Sequence, residues 1–148
     1  MITYDDLHKQ NHRITELTNV LHVLMTDRTL LDSDITCEIF FRYVEQVKDH
    51  LDVTDRDMYS TLLKHGDNET TQLANMFMSG SQEIKKMFDS YLKKWCKLNK
   101  KTLAIKNHDD FVKETEEMFG MMLNRIQDET EKLYPVVRKV TGDEIKAA

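Results

Sequence analysis

The stretch that decides the fold is Arg125-Ile126-Gln127-Asp128-Glu129-Thr130-Glu131-Lys132-Leu133-Tyr134-Pro135. It has a counterpart 75 positions earlier, which reads His50-Leu51-Asp52-Val53-Thr54-Asp55-Arg56-Asp57-Met58-Tyr59-Ser60. Apolar residues continue on both sides of each stretch at spacings of three and four, which predicts that both lie late in helices. An internal repeat of this kind favours two similar helix pairs packed against each other. The aligned pairs are Leu51 with Ile126, Thr54 with Glu129, Met58 with Leu133 and Tyr59 with Tyr134.

The composition predicts one helical domain. The chain has 148 residues, of which 40% are hydrophobic and 32% charged, an ordinary balance for a single globular core. Four glycines and one proline leave little turn chemistry, so strands joined by tight hairpins are disfavoured and long helices are expected. We expect one domain over residues 1–142 and a flexible tail over residues 143–148.

The charge and the hydropathy disfavour two classes of partner. The chain has 21 basic and 26 acidic residues, a net charge of -5, without an extended basic patch, so nucleic-acid binding is not expected. No apolar run approaches membrane-spanning length and the first residues lack a signal-peptide pattern, so a membrane is not expected as a partner either. Two cysteines without metal-type spacing fit a reducing cytoplasm, which is the predicted location.

Four apolar stripes predict four helices. The first runs from about Tyr4 to about Arg28 and the second ends at Gly66. The third covers residues 68–98, and the fourth opens at His108, with Pro135 expected to kink or end it. Four helices of similar length with short connections predict an all-α, up-down-up-down antiparallel four-helix bundle.

Catalytic chemistry has no positive signal in the sequence. No serine, cysteine or lysine has a recognisable base nearby, and there is no glycine-rich phosphate loop, so we do not expect an enzyme. His8 and His12 stand one helical turn apart, as do His12 and Glu16, a spacing that can bind a divalent metal. A solvated helix face is the favoured interpretation of these residues.

The repeat resembles the hemerythrin-like domains, the HHE cation-binding family, over nearly the whole chain. In that family a histidine is followed four residues later by a carboxylate and often by Leu-Tyr-Pro, and residues 50–59 and 129–135 match this pattern. The resemblance implies a hemerythrin-like bundle holding two iron ions through histidines from all four helices and two bridging carboxylates. The family uses this centre for oxygen binding, for iron or redox sensing, or for nitric-oxide chemistry.

The ligand positions that the resemblance implies are incompletely filled. On the fourth helix Arg125 takes the histidine position, while Glu129 supplies the carboxylate. On the second helix His50 is present, but Thr54 takes the carboxylate position, with Asp55 beside it as a stand-in.

The other two helices offer little to a metal. The third has no histidine between His65 and His108. On the first, His12 resembles the family's ligand by its place, whereas helical phase turns Asn11 inward and favours the surface for His12. Because two iron ions need about ten ligand atoms, no cofactor is expected, with iron as the alternative. The candidate ligands for a bound metal are His50, Asp55, Glu129 and His12.

Arg125 is the expected replacement for the metal. A buried Glu129 needs a partner, and Arg125 lies one turn earlier on the same flank. Gly80 on the facing stripe is expected to leave room for the guanidinium. The alternative is an Arg125 side chain that extends to solvent. The predicted polar core at the former metal site is His50, Thr54, Asp55, Arg125 and Glu129.

The leading functional hypothesis is a non-enzymatic signalling or regulatory protein that binds an unidentified protein partner. One alternative is a residual iron-binding protein that senses oxygen, iron or redox state. Another is an anti-sigma transcription regulator, because residues 50–56 and 125–129 also resemble the regulators of sigma D. Cys37 and Cys96, 29 and 30 residues from Gly66, are expected at one end of the bundle as two independent thiols, with a redox-sensing disulfide as the alternative.

Overall fold

The computed structural model describes residues 4–142, except for the side chain of Asp55. Within this range the chain is almost entirely helical, so the predicted all-α class is confirmed. The predicted tail, residues 143–148, lies outside the described residues. The elements are α1 (Tyr4–Thr26), α2 (Arg28–Leu31), α3 (Asp34–Val53), a first π turn (Thr54–Tyr59), α4 (Ser60–His65), α5 (Asn68–Trp95), β1 (Cys96–Lys97), β2 (Thr102–Leu103), α6 (His108–Asp128), a second π turn (Glu129–Leu133) and α7 (Tyr134–Thr141).

Short polar side chains fix where four of these helices begin. Asp27, Ser33, Asp67 and Asn107 each stand just before a helix and accept hydrogen bonds from backbone N–H groups of its first turn. These N–H groups have no partner inside the helix, so a side-chain oxygen at the cap position stabilises the helix end. Gly66 is extended and separates α4 from α5, where the sequence predicts the break.

The internal repeat is visible in the backbone. The first π turn begins at Thr54 and the second at Glu129, which are aligned positions of the two copies. Each π turn contains i→i+5 hydrogen bonds and interrupts a helical path that continues beyond it, from α3 into α4 and from α6 into α7.

Pro135 was expected to kink or end the fourth helix, and it does not end the helical path. It lies in the first turn of α7, directly after the second π turn, and the path continues to Thr141. Proline lacks an N–H donor, and the first turn of a helix is where a missing donor costs least. The interruption therefore falls one turn before the proline, in the π turn itself.

The buried apolar residues form two clusters, and the π turns begin where one cluster gives way to the other. The larger cluster includes Leu51 and Ile126, just before the two π turns. The smaller cluster includes Met58 and Leu133, within them. Positions 54 and 129 therefore lie at the boundary between the two apolar clusters.

The connection between α5 and α6 contains a short β-hairpin. Cys96 pairs with Leu103 and Lys97 with Thr102 in an antiparallel arrangement. The sequence disfavours tight hairpins because glycine is scarce, but here Lys101 adopts the left-handed conformation, with φ of 50°. Cys37 reaches this hairpin from α3, and its thiol donates to the Lys101 carbonyl at 3.2 Å.

The long helices are amphipathic. α5 is the longest at 28 residues and buries Phe77, Phe88 and Trp95 on one side, while Lys86 and Lys93 are exposed on the other. Over residues 4–142, no helix combines the length and the apolar character needed to cross a membrane.

Candidate functional site

The centre of the site is a buried carboxylate. Glu129 is the first residue of the second π turn and is fully buried. Its Oε1 lies 2.7 Å from Nε2 of His50, which is also fully buried. A carboxylate removed from water without a partner is costly, so this contact compensates the burial of Glu129.

The second ring nitrogen of His50 faces α1. Its Nδ1 lies 3.0 Å from Oε1 of Gln10. With two oxygen atoms facing its two nitrogens, the ring donates to both when it is doubly protonated. A neutral ring keeps both contacts when the Gln10 amide is turned to present its NH₂ group. In either state His50 connects α1 to the carboxylate of Glu129.

Arg125 closes the other side of the carboxylate. Its Nε lies 3.4 Å from Oε2 of Glu129, and its side chain is only 10% exposed. One terminal nitrogen, Nη2, donates to the Tyr59 hydroxyl at 2.6 Å and to the Phe77 carbonyl at 2.7 Å. The guanidinium also lies over the ring of Phe77, 4.6 Å from its centroid. The side chain thus points into the protein and joins three elements.

Gly80 provides the space for this guanidinium. A Cβ atom at position 80 would lie 2.9 Å from Nη1 of Arg125, closer than such contacts normally come. The hydrogen bonds of Arg125 to Tyr59 and Phe77 leave the guanidinium little freedom to move away. A glycine at this point of α5 therefore accommodates the guanidinium.

Two tyrosines from aligned positions of the repeat flank the centre. Burial raises the pKa of Tyr59 to about 12, with Arg125 acting in the opposite direction. Burial and then the Glu129 charge also raise the pKa of Tyr134. Both hydroxyls stay protonated at neutral pH, and that of Tyr134 accepts a hydrogen bond from Asn11 Nδ2 at 3.0 Å.

Thr54 makes the site asymmetric. It aligns with Glu129 in the repeat and is buried, but it carries no charge and donates to the Leu51 carbonyl of its own helical path at 2.9 Å. The two halves therefore contribute one carboxylate rather than two. The side chain of Asp55 lies outside the described residues, so its predicted contribution stays a prediction.

His12 lies on the surface, away from this centre. Its Nε2 lies 2.9 Å from Oε1 of Glu16, and both side chains are about two-thirds exposed at 67% and 64%. The reason is the phase of α1, which buries Asn11. Among the residues with described side chains, no three His, Cys, Asp or Glu groups converge as metal ligands. Of the four candidate ligands, the structure brings together His50 and Glu129.

Sequence reasoning missed two contributors to the site. Gln10 lies three residues after Leu7 and four before Ile14, and a polar residue at this position of the apolar stripe was the available signal. The Phe77 carbonyl carries no signal, because Arg125 reaches it across 48 positions through a backbone atom that every residue has.

The charges of Arg125 and Glu129 balance each other within the site. Three of its buried polar atoms form no hydrogen bond in the described structure. Arg125 Nε and Glu129 Oε2 face each other at ion-pair distance but form no hydrogen bond, and Asn11 Oδ1 is also buried without one. The arrangement can hold a carboxylate between an imidazole and a guanidinium. Among its described residues it contains no serine, cysteine or lysine nucleophile.

No family model, curated protein or solved structure matches this chain. The hemerythrin resemblance therefore rests on the repeat and the ligand positions of the sequence itself.

Proposed function

We propose that the chain is a hemerythrin-type, up-down-up-down four-helix bundle in which an internal ion pair replaces the iron centre. In this proposal it acts as a non-enzymatic signalling or regulatory protein and binds a protein partner. One observation carries the proposal: the buried Glu129 carboxylate is compensated from within the chain, by His50 at 2.7 Å and Arg125 at 3.4 Å. A bundle compensated in this way needs no metal to fold.

Several residues are compatible with an ion pair in place of the metal, which supports a stable metal-free fold. Arg125 stands where the family resemblance implies a histidine ligand, and Gly80 leaves the space that the larger side chain occupies. Thr54 stands where the family resemblance implies a second carboxylate, so the site has one carboxylate and one guanidinium to balance it. The guanidinium and the carboxylate together carry no net charge, which favours the burial of the pair.

Iron content tests the proposal directly. We expect protein purified without oxygen to contain no stoichiometric iron, to keep its helical circular dichroism after chelation, and to show no oxo-bridged charge-transfer bands in air. The double variant Arg125→His with Thr54→Glu serves as control and is expected to stay iron-free, because the third predicted helix still lacks a ligand. About two iron atoms per wild-type chain, with those bands, would overturn the proposal.

A residual iron sensor is the second candidate, favoured by the carboxylate oxygen of Glu129 that forms no hydrogen bond. His50 Nε2 and Glu129 Oε1 converge in a buried place, and Glu129 Oε2 has no hydrogen bond. One ferrous ion per wild-type chain that is lost in Glu129→Gln would favour this sensor.

For the leading proposal, the partner captured by cross-linking should be the same with and without chelator. Recovery of a sigma factor of RNA polymerase would assign the protein to the anti-sigma alternative.

A further inference from the structure

The connection between α5 and α6 concentrates positive charge in an acidic protein. We call residues 93–106 the lysine hairpin, and no acidic residue occurs from Ser90 to His108. The hairpin holds six of the 21 basic residues, so the remaining 15 basic residues face all 26 acidic ones, a balance of -11. Its lysines are Lys93, Lys94, Lys97, Lys100, Lys101 and Lys106.

Most of this charge is exposed and unpaired. All six lysines are exposed, and only Lys94 has an ion-pair partner among residues 4–142, the carboxylate of Glu114. Lys101 borders an open cleft together with Asp34 and Glu38 but forms no ion pair with either within that range. Because unpaired exposed charges add little to stability, the fold does not account for this concentration.

The backbone conformation of Lys101 is a second feature of the lysine hairpin. A φ of 50° places it in the left-handed region, where glycine or asparagine is the usual residue in a turn. A lysine there carries a conformational cost without making an ion pair among the described residues. The left-handed residue closes the turn between β1 and β2, and a lysine at this position keeps an exposed positive charge in the turn.

The chemistry of the hairpin selects among anionic partners. It contains no arginine, whose planar fork recognises single phosphates and carboxylates. Its aromatic residue Trp95 is buried, as is Tyr91 just before it, so neither offers a ring for stacking on nucleobases. Lysine is also depleted in protein interfaces. Exposed lysines surround Leu98, which is 43% exposed. This combination fits a flat surface that carries many negative charges and has an apolar layer beneath them.

We propose that the lysine hairpin docks this end of the protein on the surface of an anionic lipid bilayer. The lysines lie at the headgroups and Leu98 enters the headgroup layer. The contact is peripheral, so it requires no membrane-spanning helix. It departs from the sequence-based expectation of no membrane partner, which concerned spanning segments and signal peptides. The neighbouring acids Asp34, Glu38 and Glu114 belong to α3 and α6 and not to the hairpin itself, and charges more than roughly 8 Å away are screened at physiological salt. This surface is separate from the Arg125–Glu129 centre, and its test does not depend on iron.

Vesicle sedimentation tests the assignment with the full chain. We expect binding to vesicles containing about one-third phosphatidylglycerol, weakening as salt rises, and no binding to pure phosphatidylcholine. Replacing Lys97, Lys100 and Lys106 with glutamine should lower the partition coefficient about fivefold per lysine. The matched control replaces Lys48, Lys64 and Lys139 with glutamine, which changes the net charge equally on other faces, and should bind as wild type.

A second variant separates charge from folding. Lys101→Gly removes one charge and also relieves the left-handed conformation, so it should weaken lipid binding about fivefold while its melting temperature does not fall. Equal binding to both vesicle types, or an equal loss in the control triple variant, would overturn the proposal. Tighter binding to duplex DNA or to polyglutamate than to anionic vesicles would overturn it as well.

Discussion

At the scale of single residues, Arg125 holds the polar centre together. Its guanidinium contacts Glu129, the Tyr59 hydroxyl and the Phe77 carbonyl while remaining 10% exposed. Arg125→Ala would remove the guanidinium beside the fully buried carboxylate and leave His50 as its remaining partner in the described structure. We therefore expect the free energy of unfolding to fall by about 3 kcal/mol, measured by urea denaturation.

Arg42 supplies the matched control for this experiment. It also pairs with an acid one turn away, Glu38 at 2.9 Å, but its side chain is 65% exposed. Arg42→Ala should cost less than about 1 kcal/mol, because exposed pairs contribute little. Arg125→Met combined with Glu129→Gln should be milder than Arg125→Ala, since no charge is then left alone. Equal costs for Arg125→Ala and Arg42→Ala would contradict the internal pair.

Gly80 gives a second residue-scale prediction. Replacing a glycine inside an exposed helix with alanine normally stabilises by about 0.5–1 kcal/mol. Gly120→Ala should show this gain, because a Cβ atom there meets nothing within 4 Å. Gly80→Ala should not, because its Cβ atom would press on Arg125 Nη1 at 2.9 Å. Thermal melts of the two variants test this. An equal rise in melting temperature at both positions would contradict the close contact of Arg125 with position 80.

At the scale of elements, the caps and the repeat could be read from the sequence but the π turns could not. Asp67 before α5 and Gly66 behind α4 follow local rules of a few residues. A π turn has no comparable local signature, since Leu51, Thr54, Met58 and Leu62 keep the spacings of three and four of an ordinary helix. The alignment of Thr54 with Glu129 contained the information, but only as a repeat and not as a conformation.

The cysteines allow a prediction about the hairpin that they both touch. Burial raises the pKa of Cys37, and it raises the pKa of Cys96 to about 12. Because the thiolate is the reactive form, alkylation should be slow near neutral pH and accelerate about tenfold per pH unit. Peptide mapping should find Cys37 labelled before the buried Cys96. In urea both should label at the same rate.

Mass spectrometry of oxidised, unreduced protein tests whether the two cysteines form a disulfide. Both are free thiols, and Cys37 contacts the carbonyl of Lys101 in the turn that follows Cys96. We still expect separate, reduced peptides, because raised pKa values oppose the thiolate attack that forms a disulfide. A Cys37–Cys96 link in high yield would favour the redox alternative.

At the scale of the whole molecule, four of the five tyrosines make stability depend on alkaline pH. Tyr43, Tyr59, Tyr91 and Tyr134 are buried, and burial raises the pKa of each, that of Tyr59 to about 12. A pKa higher in the folded than in the unfolded state gives stability that is complete below the unfolded value of about 10. That stability is lost as pH rises through the folded value.

Ultraviolet titration of the phenolates measures this effect. The four buried tyrosines should ionise together with the loss of the near-ultraviolet circular dichroism, above the pH at which free tyrosine titrates. In denaturant the same groups should titrate near the ordinary value of about 10. Gradual ionisation of these four groups around that value, with the dichroism intact, would contradict their burial.

The global class was predictable because it depends on composition, whereas the contacts of the site were only partly so. Four glycines, one proline and continuous stripes leave few alternatives to helices. Arg125 and Glu129 are one turn apart, so their pairing follows from helical geometry. The contact of His50 with Gln10 depends on how α1 packs on α3, which no local pattern specifies.

The contact between His50 and Glu129 joins residues 79 positions apart in the chain. Ribosomes add roughly 5–20 residues per second, so roughly 4 to 16 seconds separate the synthesis of the two side chains. During that interval the first copy of the repeat has its imidazole but not the carboxylate that it will bind. A nascent chain thus carries a half-made polar surface that water must solvate, and burial of the centre belongs to the late steps of its biogenesis.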